Sequence, residues 1–235
     1  MALFMMKQKI VILTGAGISA ESGIDTFRAA GGLWENHRIE DVATPEGFAA
    51  NPALVHTFYN ARRRALKNVS PNPAHDALAR LQSSGAHDVF IVTQNVDDLH
   101  GRAGSTAHHM HGELLRVKCV ACDWACEISG DIDVQTECKA CAARGTVRPD
   151  IVWFGEIPYG MDAIENRLAA CDLFVSIGTS GAVYPAAGFV QMAKAYGAAT
   201  LEINLEPSEG SAFFDETRHG KAGKLVPAWV DEVLV

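Results

Sequence analysis

Four short runs of apolar, largely β-branched residues recur along the chain: Lys9 to Thr14, Asp88 to Thr93, Asp172 to Gly178 and Ala199 to Asn204. Their apolar positions are consecutive rather than alternating, which marks strands buried on both faces. Between them apolar residues return at helical spacing, over Ala74 to Leu81, Met161 to Ala170 and Ala186 to Tyr196. Strands and helices that alternate in this way build a parallel sheet covered on both sides. The pattern therefore predicts an α/β, doubly wound fold.

Two segments break the alternation. From about Arg28 to Ser70 there is no strong strand, but Asn51-Pro52 ahead of Ala53 to Leu66 reads as a capped helix with proline in its first turn. This is a helical insertion. From about Gly112 to Arg148 the chain is polar, carries two C-x-x-C pairs and shows little apolar periodicity. Such a segment cannot form a core unaided, so a metal is expected to hold it. Neither an internal repeat nor a low-complexity tract is present.

Composition narrows the class. With 235 residues, 48% hydrophobic and 20% charged, the chain is globular rather than disordered, with room for one large core and a small satellite. The formal charge of -8 argues against a nucleic-acid partner, which would call for clustered Lys and Arg. No apolar run is long enough to span a bilayer. The opening Met1 to Met6 has neither a basic region nor a cleavage site, so no membrane association and a cytoplasmic location are expected. Of six cysteines, four fall in the C-x-x-C pairs, which suits metal binding in a reducing compartment better than a disulfide framework.

The first chemical motif, Gly15-Ala16-Gly17-Ile18-Ser19-Ala20-Glu21-Ser22-Gly23, follows a strand and opens a helix. Glycines there let backbone N–H groups approach a pyrophosphate, and the helix start favours negative charge. The third glycine comes too late for the G-x-G-x-x-G fingerprint of hydride-transfer enzymes, and helix-like sequence replaces the second strand. A nucleotide site is favoured over a mere tight turn, and a dehydrogenase is not.

Cys119-x-x-Cys122 and Cys138-x-x-Cys141 are separated by fifteen residues, within the range of a four-thiolate tetrahedral zinc site. Four cysteines leave no open position for water, so one structural Zn²⁺ is expected. Cys126 and Cys171 are read as small hydrophobic residues. His111 in His108-His109-Met110-His111-Gly112-Glu113 suits proton transfer near neutrality, with Gly112 allowing close substrate approach, but composition does not choose among the three histidines. Thr93-Gln94-Asn95-Val96-Asp97, Gly178-Thr179-Ser180 and Asn204-Leu205-Glu206 follow predicted strands, where open parallel sheets bind ligands. Together with the glycine loop they predict one cofactor crevice.

The ordered series GAGISAESGIDTFR at 15 to 28, TQNVDDLH at 93 to 100, HGE at 111 to 113, the two C-x-x-C pairs, GTS at 178 to 180 and NLEP at 204 to 207 resembles the sirtuin family of NAD-dependent protein deacylases, over nearly the whole chain. The resemblance implies a Rossmann-like large domain (1–27, 74–111 and 149–235) and a small domain made of a helical module (28–73) and a zinc-binding module (112–148). NAD would be consumed as an ADP-ribosyl donor beside an acyl-lysine peptide, which accounts for the missing hydride fingerprint.

By the same resemblance His111 is the general base, and Asn95 and Asp97 contact the ribose and nicotinamide. Ala16, Glu21, Phe27 and Arg28 belong to a flexible cofactor loop, alongside Gly15, Gly17, Ser19, Ala20 and Gln94. Ser180, Asn204 and Glu206 lie on the adenosine side, and Gly178, Thr179 and Ala222 are further cofactor contacts. The acyl oxygen would attack C1′ as nicotinamide leaves, giving an alkylimidate; His111 then helps the 2′-oxygen attack, and water releases lysine and O-acyl-ADP-ribose. Val152-Trp153-Phe154-Gly155-Glu156 resembles the segment that takes the substrate backbone as an added strand, with Val152, Phe154, Gly155 and Glu156 as contacts. An ordinary edge strand is the alternative.

Tyr59 and Arg62 are three apart on the predicted helix, on one face, and match the Y-x-x-R pair with which the desuccinylase and demalonylase branch holds a substrate carboxylate. Without that match, Arg62-Arg63-Arg64 reads as a solvated basic face. Deacetylation and desuccinylation are both expected, from a monomeric, small prokaryotic enzyme. The competing readings are mono-ADP-ribosyl transfer to a protein side chain and a non-catalytic NAD-sensing zinc module.

Overall fold

The computed structural model describes residues 7–25, 33–34, 37–122 and 124–235. In chain order the strands are β1 (Lys9–Thr14), β2 (Leu33–Trp34), β3 (His37–Arg38), β4 (Asp88–Thr93), β5 (Ala107–His109), β6 (Gly112–Cys119), β7 (Ala125–Glu127), β8 (Val147–Ile151), β9 (Leu173–Ile177), β10 (Ala199–Asn204) and β11 (Glu216–His219). The α-helices are α1 (Ala16–Ser19), α2 (Ile39–Val42), α3 (Pro45–Ala50), α4 (Pro52–Leu66), α5 (Pro73–Ser84), α6 (Leu99–Arg102), α7 (Met161–Ala170), α8 (Phe189–Ala195) and α9 (Ala222–Val233). None of the described helices is long and apolar enough to cross a membrane.

The large sheet is six-stranded and parallel, ordered β11-β10-β9-β1-β4-β5. Counted within this sheet alone, the order is 3-2-1-4-5-6 of dinucleotide-binding folds, and it reverses between β1 and β9. Alternation along β1 explains the two covers. Ile10 and Ile12 pack with Leu78 and Leu81 of α5 and Val226 and Trp229 of α9 on one face. Val11 and Leu13 pack with Ile164 and Leu168 of α7 and Phe189 and Val190 of α8 on the other. The doubly wound fold expected from the sequence is present.

The second sheet is antiparallel, β7-β6-β8, and sits beside the helical segment. Because β8 pairs with β6, residues 149–151 belong to this sheet, and the strand crosses the boundary expected at 148. Helix α4 begins where the sequence placed it: Asn51 accepts the Leu54 N–H at 3.1 Å and Pro52 occupies the first turn. Its inner face, Val55, Phe58, Tyr59 and Leu66, packs with Leu114, Ile151 and Trp153. A fourth, smaller core of Val117, Ile132 and Val147 includes Cys119 and Cys138.

Candidate active site

The β1 and β9 ends meet at the reversal of strand order. Gly15 N–H donates to Ile177 O at 3.0 Å and Gly17 N–H to Gly178 O at 2.8 Å. A Cβ on Gly17 would come within 2.7 Å of Gly178 Cα, and Gly178 has φ +64°. These glycines thus let two backbones cross in contact. The amides of Gly15 and Gly17, expected from sequence to point at a pyrophosphate, are spent on that crossing. Ala16 is half-buried beside them and Ala20 exposed. The Glu21 carboxylate accepts the Gly223 N–H at 2.8 Å in the first turn of α9, next to Ala222. Phe27 and Arg28 lie outside the described residues.

Beneath the crossing lies a buried polar hub. Ser19 Oγ donates to Asp97 Oδ2 at 3.0 Å and accepts from Asn95 Nδ2 at 3.1 Å; Asn95 Nδ2 also reaches Gly15 O at 3.2 Å. Asp97 further accepts the Leu99 N–H, and burial nonetheless pushes its carboxyl pKa up. Gln94 N–H donates to Thr14 O at 2.9 Å. On the other side of the crossing, Asn204 Nδ2 donates to Thr179 O at 2.7 Å, Thr179 is buried, and Ser180 and Glu206 are exposed. The structure thus brings together the four strand ends that the sequence nominated.

Three members of the hub, Thr14, His75 and His100, had not been nominated as site residues, whereas Thr93 opens the nominated strand end. Thr14 Oγ donates to Thr93 Oγ at 2.8 Å and therefore accepts from His100 Nε2 at 2.9 Å. His75 Nδ1 accepts the Asn72 N–H at 3.3 Å, which leaves Nε2–H facing Ser19 Oγ at 3.5 Å. Both histidines are fully buried. The signal in sequence was slight: His75 is three residues into a helix behind Asn72-Pro73, and His100 closes the TQNVDDLH run.

Burial lowers the pKa of His75 to about 4 and of His100 to about 3, against 6.5 in the unfolded chain. Below pH 6.5 the unfolded chain therefore binds more protons, so this stability is complete above that pH and is lost as pH falls. Urea unfolding should be insensitive to pH between 7 and 8 and weaken by on the order of 3 kcal/mol per histidine by pH 4. A flat profile down to pH 4 would show that protons reach both rings in the folded state.

Of the three neighbouring histidines, His108 is committed elsewhere: its Nε2 lies 2.9 Å from Tyr159 O and its ring stacks on Phe90. His109 and His111 are held alike, each Nδ1 against a main-chain oxygen, Asn95 O at 3.0 Å and Gln94 O at 3.1 Å. A carbonyl only accepts, so Nδ1 carries the proton and Nε2 the lone pair. His111 stands at the junction of the two sheets, between β5 and β6, and its carbonyl accepts the Val152 N–H at 2.9 Å. Burial lowers its pKa, partly opposed by the Gln94 contact. Gly112 serves a purpose other than the expected substrate access: at φ +79° a Cβ would lie 2.0 Å from Asp150 O, so only glycine lets β6 pass β8 there.

β8 ends at Ile151 and the chain turns at residues 154–155, so this segment is not the ordinary edge strand that was the alternative reading. Glu156 N–H closes onto Trp153 O at 3.0 Å, and Phe154 N–H donates to Ala43 O at 3.0 Å. The Glu156 carboxylate is taken up by Arg148 Nη2 at 2.6 and 2.8 Å and by the Trp153 N–H at 2.8 Å. Val152 is half-buried at His111, while Phe154 and Gly155 are exposed.

On α4, Tyr59 is fully buried, and its oxygen accepts from Trp153 Nε1 at 2.9 Å. Burial pushes its phenol pKa up, so it stays protonated. Arg62 is half-buried, its guanidinium 5.7 Å from the Phe58 ring centre and close enough to Tyr59 to oppose that shift. The neighbouring Arg63 overturns the uniform basic face: it is 1% exposed, with Nε on Leu114 O at 2.9 Å and Nη1 on Asn60 Oδ1 at 2.6 Å.

The four cysteines form a cluster whose sulfurs all lie within 4.8 Å of one another. Cys119 to Cys141 is 3.8 Å and Cys122 to Cys138 is 3.7 Å. A tetrahedron with Zn–S bonds of about 2.3 Å has edges of about 3.8 Å, so the donor set fits one Zn²⁺ with every position filled. Ala121 N–H donates to Cys119 Sγ and Thr146 Oγ lies 3.2 Å from it, outer contacts that orient a thiolate ligand.

The Sir2 family profile matches residues 15–185. A protein described as an NAD-dependent protein deacylase from Pasteurella multocida is 56% identical over 234 residues, covering 98% of this chain and 100% of that one. One of the same description from Salmonella typhimurium is 54% identical, covering 98% of this chain and 85% of its own. Among solved structures, a complex of a Sir2 homologue with NAD superposes with TM-score 0.88 at 38% identity, over 97% of this chain and 90% of that one. A Sir2 protein bound to an acetylated peptide gives 0.82 at 26% identity, over 98% and 95%.

Proposed function

We propose, from the premise that this chain belongs to the Sir2 family and is an NAD-dependent protein-lysine deacylase, that it removes succinyl as well as acetyl groups and that His111 is its base. NAD is a consumed co-substrate, acyl-lysine peptides are the partner substrates, and one zinc is structural. The crevice at the β1/β9 reversal, rimmed by Ala16, Ala20, Ser180, Asn204 and Glu206, takes the dinucleotide. Gly15, Gly17, Gly178, Thr179 and Ser19 shape its floor, and Glu21 holds the loop to Ala222 and α9. A cytoplasmic monomer remains the expectation for the whole.

The observation that carries the reading is the place of His111 between β5 and β6, with the Val152 N–H on its carbonyl, combined with its tautomer. With Nδ1–H on Gln94 O at 3.1 Å, the Nε2 lone pair is presented and the ring is neutral at pH 7 because burial lowers its pKa. His111 accepts the ribose hydroxyl proton while Asn95 and Asp97, fixed through Ser19, orient the ribose and nicotinamide. Exclusion of water and alignment of a weak amide-oxygen nucleophile then carry much of the rate.

Arg62 and Tyr59 hold the distal carboxylate of a succinyl or malonyl group, the arginine by a paired hydrogen bond and the phenol as a third donor. Kinetics on acetylated and succinylated forms of one peptide test this. Arg62→Met should lower kcat/KM on the succinyl substrate about thirty- to a hundredfold, the loss of about 2 to 3 kcal/mol, and change the acetyl value little. Equal losses on both substrates would remove the carboxylate role.

A further inference from the structure

Trp153 is 2% exposed and bridges two parts of the site that the sequence keeps far apart. It lies on the turn whose Val152 N–H is tied to the His111 carbonyl, and its indole reaches across to Tyr59 on α4. We propose that Trp153 is a positioning residue for acyl specificity: it sets the Tyr59 and Arg62 pair at a fixed remove from His111 and so tunes the enzyme toward acyl chains that end in a carboxylate. This deepens the desuccinylase reading and rests on it.

The hydrogen bond has a direction. An indole nitrogen only donates, so at 2.9 Å the Tyr59 oxygen is the acceptor and the phenol hydrogen is turned away from Trp153. Trp153 thereby keeps Tyr59 a donor along its other direction, which is the polarity that recognition of a carboxylate needs. A phenylalanine at 153 would keep an aromatic ring between Arg148 and Phe48 and impose no such direction.

The indole itself is clamped. Arg148, 3% exposed, lies over its ring with the guanidinium carbon 3.9 Å from the centroid. Glu156 grips Arg148 with both carboxylate oxygens and also takes the Trp153 backbone N–H. Phe48 packs against the indole at a centroid distance of 5.4 Å. Glu156, Arg148, Trp153 and Tyr59 thus form a relay of fixed geometry, and one peptide bond, from Val152 to Trp153, joins it to the tether on His111. Displacement of the indole would shift the acyl-carboxylate contact relative to the base while leaving the shorter acetyl group, which ends before Tyr59 and Arg62, served as before.

The test is steady-state kinetics on one peptide carrying acetyl or succinyl lysine, with Trp153→Phe, Tyr59→Phe, their double variant and Arg62→Met. Trp153→Phe should lower the succinyl-to-acetyl ratio of kcat/KM about five- to tenfold, through KM rather than kcat. Tyr59→Phe should lower it at least as much, because the phenol donor goes with the bond to Trp153, and the double variant should be no worse than Tyr59→Phe alone, because Trp153 acts through Tyr59. If Arg62→Met leaves the ratio unchanged, the carboxylate reading fails and this proposal with it. If Arg62→Met lowers the ratio while Trp153→Phe does not, or while the two aromatic losses simply add, the positioning role alone is overturned. Should Trp153→Phe fail to fold, Glu156→Gln loosens the same relay and must lower the ratio by a smaller factor; an unchanged ratio overturns the proposal.

Discussion

Replacing His111 with Gln should lower kcat/KM on acetylated and succinylated peptides alike by roughly a hundred- to ten-thousandfold, the usual contribution of a positioned general base. The same change at His109 should cost no more than about threefold, within the range of a lost supporting hydrogen bond. The two rings are tethered in the same way, so the experiment discriminates by location: His109 lies within the edge strand β5, whereas His111 stands between the two sheets and carries the Val152 turn on its own carbonyl. Because burial lowers the His111 pKa, the acid limb of kcat/KM should fall below pH 6.5, with activity on a plateau above it and declining as the ring protonates. His111→Gln should abolish that limb in whatever activity is left. Retention of more than a tenth of the activity, or an equal loss at His109, would move the base elsewhere.

The sequence was informative where burial is two-sided and mute where it is not. The four central strands were found because each is apolar on consecutive positions; β5, Ala107-His108-His109, and β11, Glu216 to His219, are edge strands whose side chains carry no such run. The amphipathic α9, which closes one face with Val226, Trp229 and Val230, was not foreseen either, its proline at 227 sitting where a helix reading would be abandoned. At the site, residue type and spacing gave the cysteines, the polar strand ends and the candidate histidines. Spacing could not tell a glycine needed for a phosphate from one needed for a backbone crossing, as Gly17 and Gly178 are, nor show that the carboxylates of Glu21 and Glu156 take partners within the chain, the Gly223 N–H and Arg148. Those distinctions depend on partners more than a hundred residues away or on turns that local pattern does not encode.

Arg63 and its neighbours on α4 tie the cysteine-bearing segment to the helix that carries Tyr59 and Arg62, and this sets the outcome of zinc removal. Asn60 exchanges two hydrogen bonds with Ile132, Nδ2 to the carbonyl at 2.8 Å and Oδ1 from the N–H at 3.1 Å, and Arg64 pairs with Asp131. Arg63 reaches Gly130 O at 3.4 Å as well as Leu114 O and Asn60. The loop 130–132 that supplies these partners lies between the two cysteine pairs, over a small core of Val117, Ile132, Val147, Cys119 and Cys138 edged by the half-buried Trp124 and Ile128. So small a core cannot hold its shape without the metal, whose binding to comparable four-ligand sites is worth on the order of 10 kcal/mol. Stripping zinc from the purified enzyme should therefore release that loop and strand the buried Arg63 charge, a cost of about 3 to 5 kcal/mol if it stays inside. Helix α4 would then lose its seat against β6, and with it the register of Tyr59 on Trp153. The expected result is loss of more than nine-tenths of both deacetylation and desuccinylation, a lowered melting temperature, and recovery of both on return of Zn²⁺ but not Mg²⁺, which prefers oxygen ligands. Full activity with an unchanged melting curve after the metal has been shown to be gone would mean that the four thiolates and α4 are mechanically independent.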